Sequence, residues 1–125
     1  MIVGIGTDLV EIDRLARIMA RWGDRFIRRV FSPGEIAYCG SKRNPAMHFA
    51  ARFAAKESFL KSIGMGMGQG IRLTDIEVAR GSSGAPNLLL HGKALDFLRE
   101  HGGATVHLTL THTAGAAAAI VIVET

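Results

Sequence analysis

The chain has 125 residues, with 15 Lys and Arg against 11 Asp and Glu, for a formal charge of +4. That is the length of one domain, spanning 1–125, and it is enough to bury a core without disulfides; the lone Cys39 excludes a cystine framework. No run approaches the roughly 18 uncharged apolar residues of a spanning helix. Met1 to Val10, with Asp8 and two glycines, lacks the basic and long apolar regions of a secretory signal, so a soluble, cytoplasmic protein is expected. Apolar residues make up 48% of the chain but aromatic ones only 6%. So much small aliphatic surface on a short chain points to subunit interfaces as well as a core.

Met1 to Val10 alternates with period two and is predicted as a strand, with Ile2, Gly4, Gly6 and Asp8 on one face and Val3, Ile5, Thr7 and Leu9 on the other. From Asp13 the period changes. Leu15, Ile18, Met19 and Trp22 recur at helical spacing until Gly23 ends the pattern. Ser32-Pro33-Gly34-Glu35 has the form of a capping box with proline at the first helical position, opening a short helix to about Gly40. After Asn44-Pro45, Ala46 to Ile63 is the longest helical pattern, stopped by the glycine cluster Gly64 to Gly70. Ile71 to Ala79 and Asn87 to Leu90 are expected as strands around the turn Gly81 to Pro86, and Gly92 to His101 as a helix. Thr105 to Thr111 and Ala116 to Val123 close the chain as strands. The order predicts an α+β fold with a largely antiparallel sheet packed on the long helix.

Asp8 ends a strand whose same-face neighbours, Gly4 and Gly6, have no side chains to block a ligand. A half-buried carboxylate there needs a partner or a cation, unless it caps the helix that begins near Glu11. On the long helix Glu57 and Lys61 are four apart and share a stripe with Ala50 and Ala54; the plain alternative is a solvated ion pair. Arg52 and Lys56 form a like-charge pair on the adjoining face, which an anion would relieve. Two carboxylates from distant elements with lysine beside one make a minimal site for Mg²⁺ and a polyphosphate, because Mg²⁺ takes one or two protein carboxylates plus substrate oxygens. No Walker loop or HExxH helix is present, and the glycine cluster follows a helix rather than a strand, unlike a dinucleotide fingerprint. The histidines lack a companion cysteine pattern for zinc. His112, between two threonines at a strand end, is either a phosphate donor or a polar turn residue.

The positive charge is local. Six arginines and one acid, Asp24, lie between Arg14 and Arg29. Arg14, Arg17 and Arg21 fall on the helix side away from the apolar stripe, an exposed ridge suited to an acidic partner. A nucleic-acid surface is the non-enzymatic alternative, although no recognisable nucleic-acid-binding module accompanies it. A ribonuclease-H-like nuclease opening on the strand that ends in Asp8 is another. Such sites gather three or four carboxylates around two metals, and no further acid is well placed beyond Asp8 and Glu57.

Gly4-Ile5-Gly6-Thr7-Asp8-Leu9-Val10-Glu11-Ile12 and Arg52-Phe53-Ala54-Ala55-Lys56-Glu57-Ser58-Phe59-Leu60-Lys61 together resemble the two signatures of the holo-(acyl-carrier-protein) synthases. These are small 4′-phosphopantetheinyl transferases. The likeness continues through Pro86 to Ala94, ending in Leu90-His91-Gly92-Lys93-Ala94, and through Thr111-His112-Thr113, and departs at Thr113-Ala114-Gly115, where many relatives are more polar or charged. It implies transfer of 4′-phosphopantetheine from coenzyme A to a serine of an acidic apo acyl carrier protein, as in fatty acid biosynthesis. It also implies a homotrimer with active sites between subunits. Carried over, Asp8 and Glu57 are Mg²⁺ ligands, Lys61 neutralises phosphate oxygens, and Glu57 or a metal-bound water accepts the serine proton. Lys42, Arg43, Lys61, Gly64, Gly66 and His112 become coenzyme A contacts, with Lys42 and Arg43 at the 3′-phosphate, and Arg14, Arg17 and Arg21 carrier-protein contacts.

Overall fold

The computed structural model describes residues 1–64 and 70–125. Strand β1 (Ile2–Glu11) leads into helices α1 (Ile12–Trp22), α2 (Asp24–Val30), α3 (Pro33–Gly40) and α4 (Pro45–Ser62). A 3₁₀ turn (Leu73–Asp75) precedes the hairpin of β2 (Ile76–Arg80) and β3 (Pro86–Leu90), and α5 (Gly92–Glu100), β4 (Thr105–His112) and β5 (Ala116–Glu124) complete the described chain. The pairing is antiparallel throughout: one sheet has the order β1-β5-β4 and the other is the β2-β3 hairpin. The expected α+β class is therefore found. Among the described residues no helix is long and apolar enough to cross a membrane.

Helix α4 runs through the middle and is buried on most of its circumference, which is why its sequence shows no clean polar face. Its Ala54 and Ala55, both fully buried, share a small core cluster with Ala119 of β5, so helix and sheet approach closely. Approach is closest at β1. A Cβ on Gly4 would fall on the carbonyl oxygen of Ser62, and one on Gly6 on that of Ser58. The glycines thus clear space for the backbone of α4, not for a ligand. The Ser58 hydroxyl donates to the Ala54 carbonyl at 2.7 Å and also reaches the Ala119 carbonyl at 3.1 Å, tying the helix to the centre of the sheet.

Two elements differ from the sequence expectation. Helix α2 was not foreseen: its seven residues are dominated by charge, and only Phe26, Ile27 and Val30 mark an inner face. The strand expected over Ile71 to Ala79 begins only at Ile76, because the carbonyls of Leu73 and Ile76 are taken by the Lys56 ammonium, at 2.8 and 2.7 Å. Lys56 accordingly faces no phosphate. Its third hydrogen bond, at 2.8 Å, goes to Glu35, and both side chains of the pair are completely buried. Glu35 is the expected capping-box residue, bonded reciprocally with Ser32, and its second oxygen also accepts the Val78 amide at 2.8 Å. One buried ion pair therefore joins α3, α4, the 3₁₀ turn and the hairpin, with every donor matched.

The two faces of the β1-β5-β4 sheet are unlike. The inner face carries Ala117, Ala119, Val121 and Val123 against α4. The outer face leaves Val3, Ile5, Leu9 and Ile120 exposed, Leu9 by 70%. Gly6→Ala, by driving a methyl into the α4 backbone, is expected to destabilise the protein by about 3 kcal/mol or more, measured as a shift in the urea midpoint at unchanged slope.

Candidate active site

Because β1 lies on α4 through its glycines, Asp8 at the C-terminal half of the strand comes against the last turns of the helix. The Lys61 ammonium donates to Asp8 Oδ1 at 3.0 Å and to the Thr7 carbonyl at 3.1 Å. Asp8 caps no helix: Glu11 occupies the cap position of α1 and makes no side-chain capping bond. Glu57 lies one turn back on α4. Burial raises its pKa above the ordinary carboxylate range, the Asp8 charge raises it further, and Lys61 opposes both. Asp8 and Glu57 therefore share one electrostatic site, 49 residues apart in sequence.

The site opens into a cleft of about 360 Å³ lined by Asp8, Glu11, Arg14, Ile18, Phe53 and Glu57, among others. Among the described residues no three His, Cys, Asp or Glu side chains converge on one point. Two carboxylates without a third ligand, one of them desolvated and repelled by the other, fit a hard divalent cation that completes its shell with water and substrate oxygens. They do not fit a tetrahedral zinc site.

Arg14 links this cleft to the arginine ridge. Arg14, Arg17 and Arg21 are all exposed along α1, as the periodicity implied. Next to them a second groove of about 440 Å³ is lined by Ile18, Trp22, Arg25, Phe26 and Arg29. Trp22 is 51% exposed, with the Arg21 guanidinium over its ring at 5.3 Å.

The remaining sequence candidates lie elsewhere. Gly64 follows α4 in the left-handed region, φ 69°, and borders a cleft with Val3, Ile5, Lys61, Phe97 and His101. Gly66 lies outside the described residues. Lys42 and Arg43 are exposed in the α3–α4 connection, and His112 ends β4 opposite Ala117. Lys42 has company that the sequence did not reveal. Its ammonium sits 4.5 Å from the centre of the Tyr38 ring, which also has the Arg52 guanidinium at 4.2 Å and that of Arg80 at 5.1 Å. His48 meets the same ring edge-on at 5.9 Å. Burial, and after it the charges of Arg52, Lys42, His112 and Arg80, holds the His48 pKa below the usual imidazole range. The one available signal was the like-charge pair Arg52 and Lys56: Glu35 accounts for Lys56, and among the described residues Arg52 remains a buried cation without a carboxylate.

Comparison with known proteins decides the family. Residues 4–121 match the model of the 4′-phosphopantetheinyl transferase superfamily. The chain belongs to this superfamily. A holo-[acyl-carrier-protein] synthase of Syntrophus aciditrophicus is 55% identical over 124 residues, covering 99% of this chain and 97% of the relative. The crystal structure of the holo-[acyl-carrier-protein] synthase of Neisseria meningitidis superimposes with a TM-score of 0.90 at 32% identity, over 100% of both chains. That of the Bacillus anthracis synthase, in complex with CoA (3′,5′-ADP), gives a TM-score of 0.81 at 30% identity, over 99% of this chain and 97% of the other. The chain is thus a phosphopantetheinyl transferase, and neither a nuclease nor a nucleic-acid-binding module is supported.

In this transferase the acid pair has a measurable cost. The raised pKa of Glu57 means that the folded state binds its proton more tightly than the unfolded state does. Stability from this group is therefore lost as pH rises through the raised value. Without divalent cations, Glu57→Gln is expected to raise Tm at about pH 8, and the gain should vanish at about pH 4, where the wild-type carboxyl is itself largely protonated.

Proposed function

We propose that this site moves 4′-phosphopantetheine from coenzyme A to a serine of apo acyl carrier protein, with Asp8 and Glu57 holding a Mg²⁺ ion. The observation that carries the reading is the meeting of these two carboxylates and Lys61 at the mouth of a cleft bordered by the arginine ridge. Bound there, the cation supplies Lewis-acid neutralisation of the coenzyme A diphosphate. Lys61, half exposed on a long stem, adds a second positive charge to those phosphate oxygens once it leaves Asp8. The serine oxygen forms a bond to the β-phosphorus, the bridging P–O bond breaks, and adenosine 3′,5′-bisphosphate departs. Glu57, made more basic by burial and by Asp8, is the protein group placed to take the serine proton.

Lys42, Arg43 and His112 meet the 3′-phosphate end of coenzyme A, and Gly64 lies beside the donor. Arg52 and Glu57 are five residues apart on α4, about 140° around the helix at about 100° per residue. The cation cluster and the acid pair of one chain therefore face different sides of that helix. A donor touching both is held between two chains, and the bare outer face of the sheet, with Ile5, Leu9 and Ile120, is the surface that joins them in a homotrimer. The acceptor's acidic surface lies along Arg14, Arg17 and Arg21, with an apolar side chain in the Trp22 groove. The transferase works in the cytoplasm, where carrier proteins for fatty acid synthesis are made.

The reaction is tested by mass spectrometry of apo acyl carrier protein incubated with coenzyme A, Mg²⁺ and this protein, the carrier gaining about 340 Da, the mass of the transferred group. Asp8→Ala and Glu57→Ala should each lower the rate about a hundredfold or more with the fold retained by circular dichroism. Undiminished Mg²⁺-dependent turnover in either variant would remove that residue from the metal site. Arg14→Glu combined with Arg21→Glu should raise KM for carrier protein about tenfold or more while leaving KM for coenzyme A unchanged. Equal effects on both substrates would assign the ridge a structural role.

A further inference from the structure

We infer that Lys61 is the resident counter-ion of the acid pair, held where it blocks a divalent cation from Asp8, so that the cation is taken up with the diphosphate donor rather than ahead of it. The inference rests on the metal and coenzyme A reading above and adds to it the order in which the site fills.

Lys61 stands four residues after Glu57 on α4, the spacing of an ordinary ion pair along one helix. The folded chain does not make that pair. Lys61 bonds across the fold instead, to Asp8 Oδ1 at 3.0 Å and to the Thr7 carbonyl at 3.1 Å. Among the described residues no ion pair involves Glu57, and no other cation is paired with Asp8. One ammonium therefore serves two carboxylates. Both of its acceptors belong to β1, an edge strand with β5 on one side only. It takes a charged and a neutral oxygen from consecutive residues, the kind of oxygen pair that a hard cation also selects.

Two cations cannot share Asp8 on these terms. Mg²⁺ sits at about 2.1 Å from its oxygen ligands, so an ammonium at hydrogen-bond distance from the same oxygen would be crowded against a double positive charge. Lys61 is built to yield. Its side chain is 55% exposed, against 20% for Asp8, and its hydrogen bonds reach no residue beyond Thr7 and Asp8. An ion pair so open to water is weak, and the long flexible stem lets the ammonium change partners without moving the helix. The freed charge then needs another anion within reach of α4, and the donor's diphosphate offers one. Donor and cation thus favour each other: the donor draws Lys61 off Asp8, and a cation on Asp8 releases Lys61 toward the donor. Linkage requires the two effects to be equal in free energy.

The test follows the lysine and the metal separately. Reductive methylation of the wild type, mapped by peptide mass spectrometry, should modify Lys61 slowly in the free protein and about fivefold faster with saturating Mg²⁺, and adding coenzyme A to the Mg²⁺ form should protect it again. Calorimetry with Mg²⁺ and no donor should show Lys61→Met binding the ion about fivefold more tightly than wild type, while Lys61→Arg, which keeps a cation on Asp8, stays within about twofold of wild type. The factor by which coenzyme A tightens Mg²⁺ binding should be about fivefold smaller in Lys61→Met than in wild type. The inference is overturned if Mg²⁺ leaves the labelling of Lys61 unchanged, a result that needs no variant to fold. It is overturned equally if Lys61→Met, folded by circular dichroism, binds Mg²⁺ no more tightly than wild type, or if Lys61→Arg matches Lys61→Met. Failure of the wild type to bind Mg²⁺ even with coenzyme A present would instead fell the metal reading, and this inference with it.

Discussion

The contact on which this molecule depends is between two main chains. Strand β1 lies so close to α4 that no side chain fits between Gly4 and Ser62 or between Gly6 and Ser58. That proximity brings a strand carboxylate and a helix carboxylate into one field, and the same helix supplies the lysine that answers Asp8. Small residues continue the theme along β5, where Ala117 and Ala119 let the helix settle against the middle of the sheet. The site is therefore built by leaving side chains out, and its acids stand at the end of the narrow contact, where the strand first carries a group that reaches past the helix.

Electrostatics divides the chain into two regions of different character. Beside β1, burial and the charge of Asp8 together disfavour the ionised form of Glu57, a local cost to stability of the kind that accompanies a working site. Around Tyr38, crowded cations create the opposite deficit. Between them Lys56 and Glu35 form the neutral centre, a charge pair deep in the interior whose hydrogen bonds are all used.

Much of this was legible in the sequence, and the parts that were not have physical reasons. The period-two run at the start, the capping box at Ser32 and the long alanine-rich helix were readable because local pattern and tertiary role agree. The joint signatures around Asp8 and Glu57 indicated the family. The purpose of Gly4 and Gly6 was misread, since a glycine that admits a ligand and one that admits a helix look alike in a string of letters. Helix α2 is too short and too charged to show periodicity. Lys56 looked like a surface cation because its acid lies 21 residues away in α3, and its capture of two carbonyls shortened a strand that local propensity favoured. Tyr38 gave no signal, because its cations come from three separate segments that only the folded chain assembles.

The buried ammonium also governs how the molecule comes apart. Lys56 bonds simultaneously to α3, to the 3₁₀ turn and to the first residue of the hairpin, so loosening any one of them would strand a charge in a dry interior. These segments behave as a single cooperative block that opens all together or stays shut. The short helices α1 and α2, which line the cleft and carry the arginines, are outside this lock. They are held by apolar packing instead, through Ile12, Leu15 and Val30 in the core.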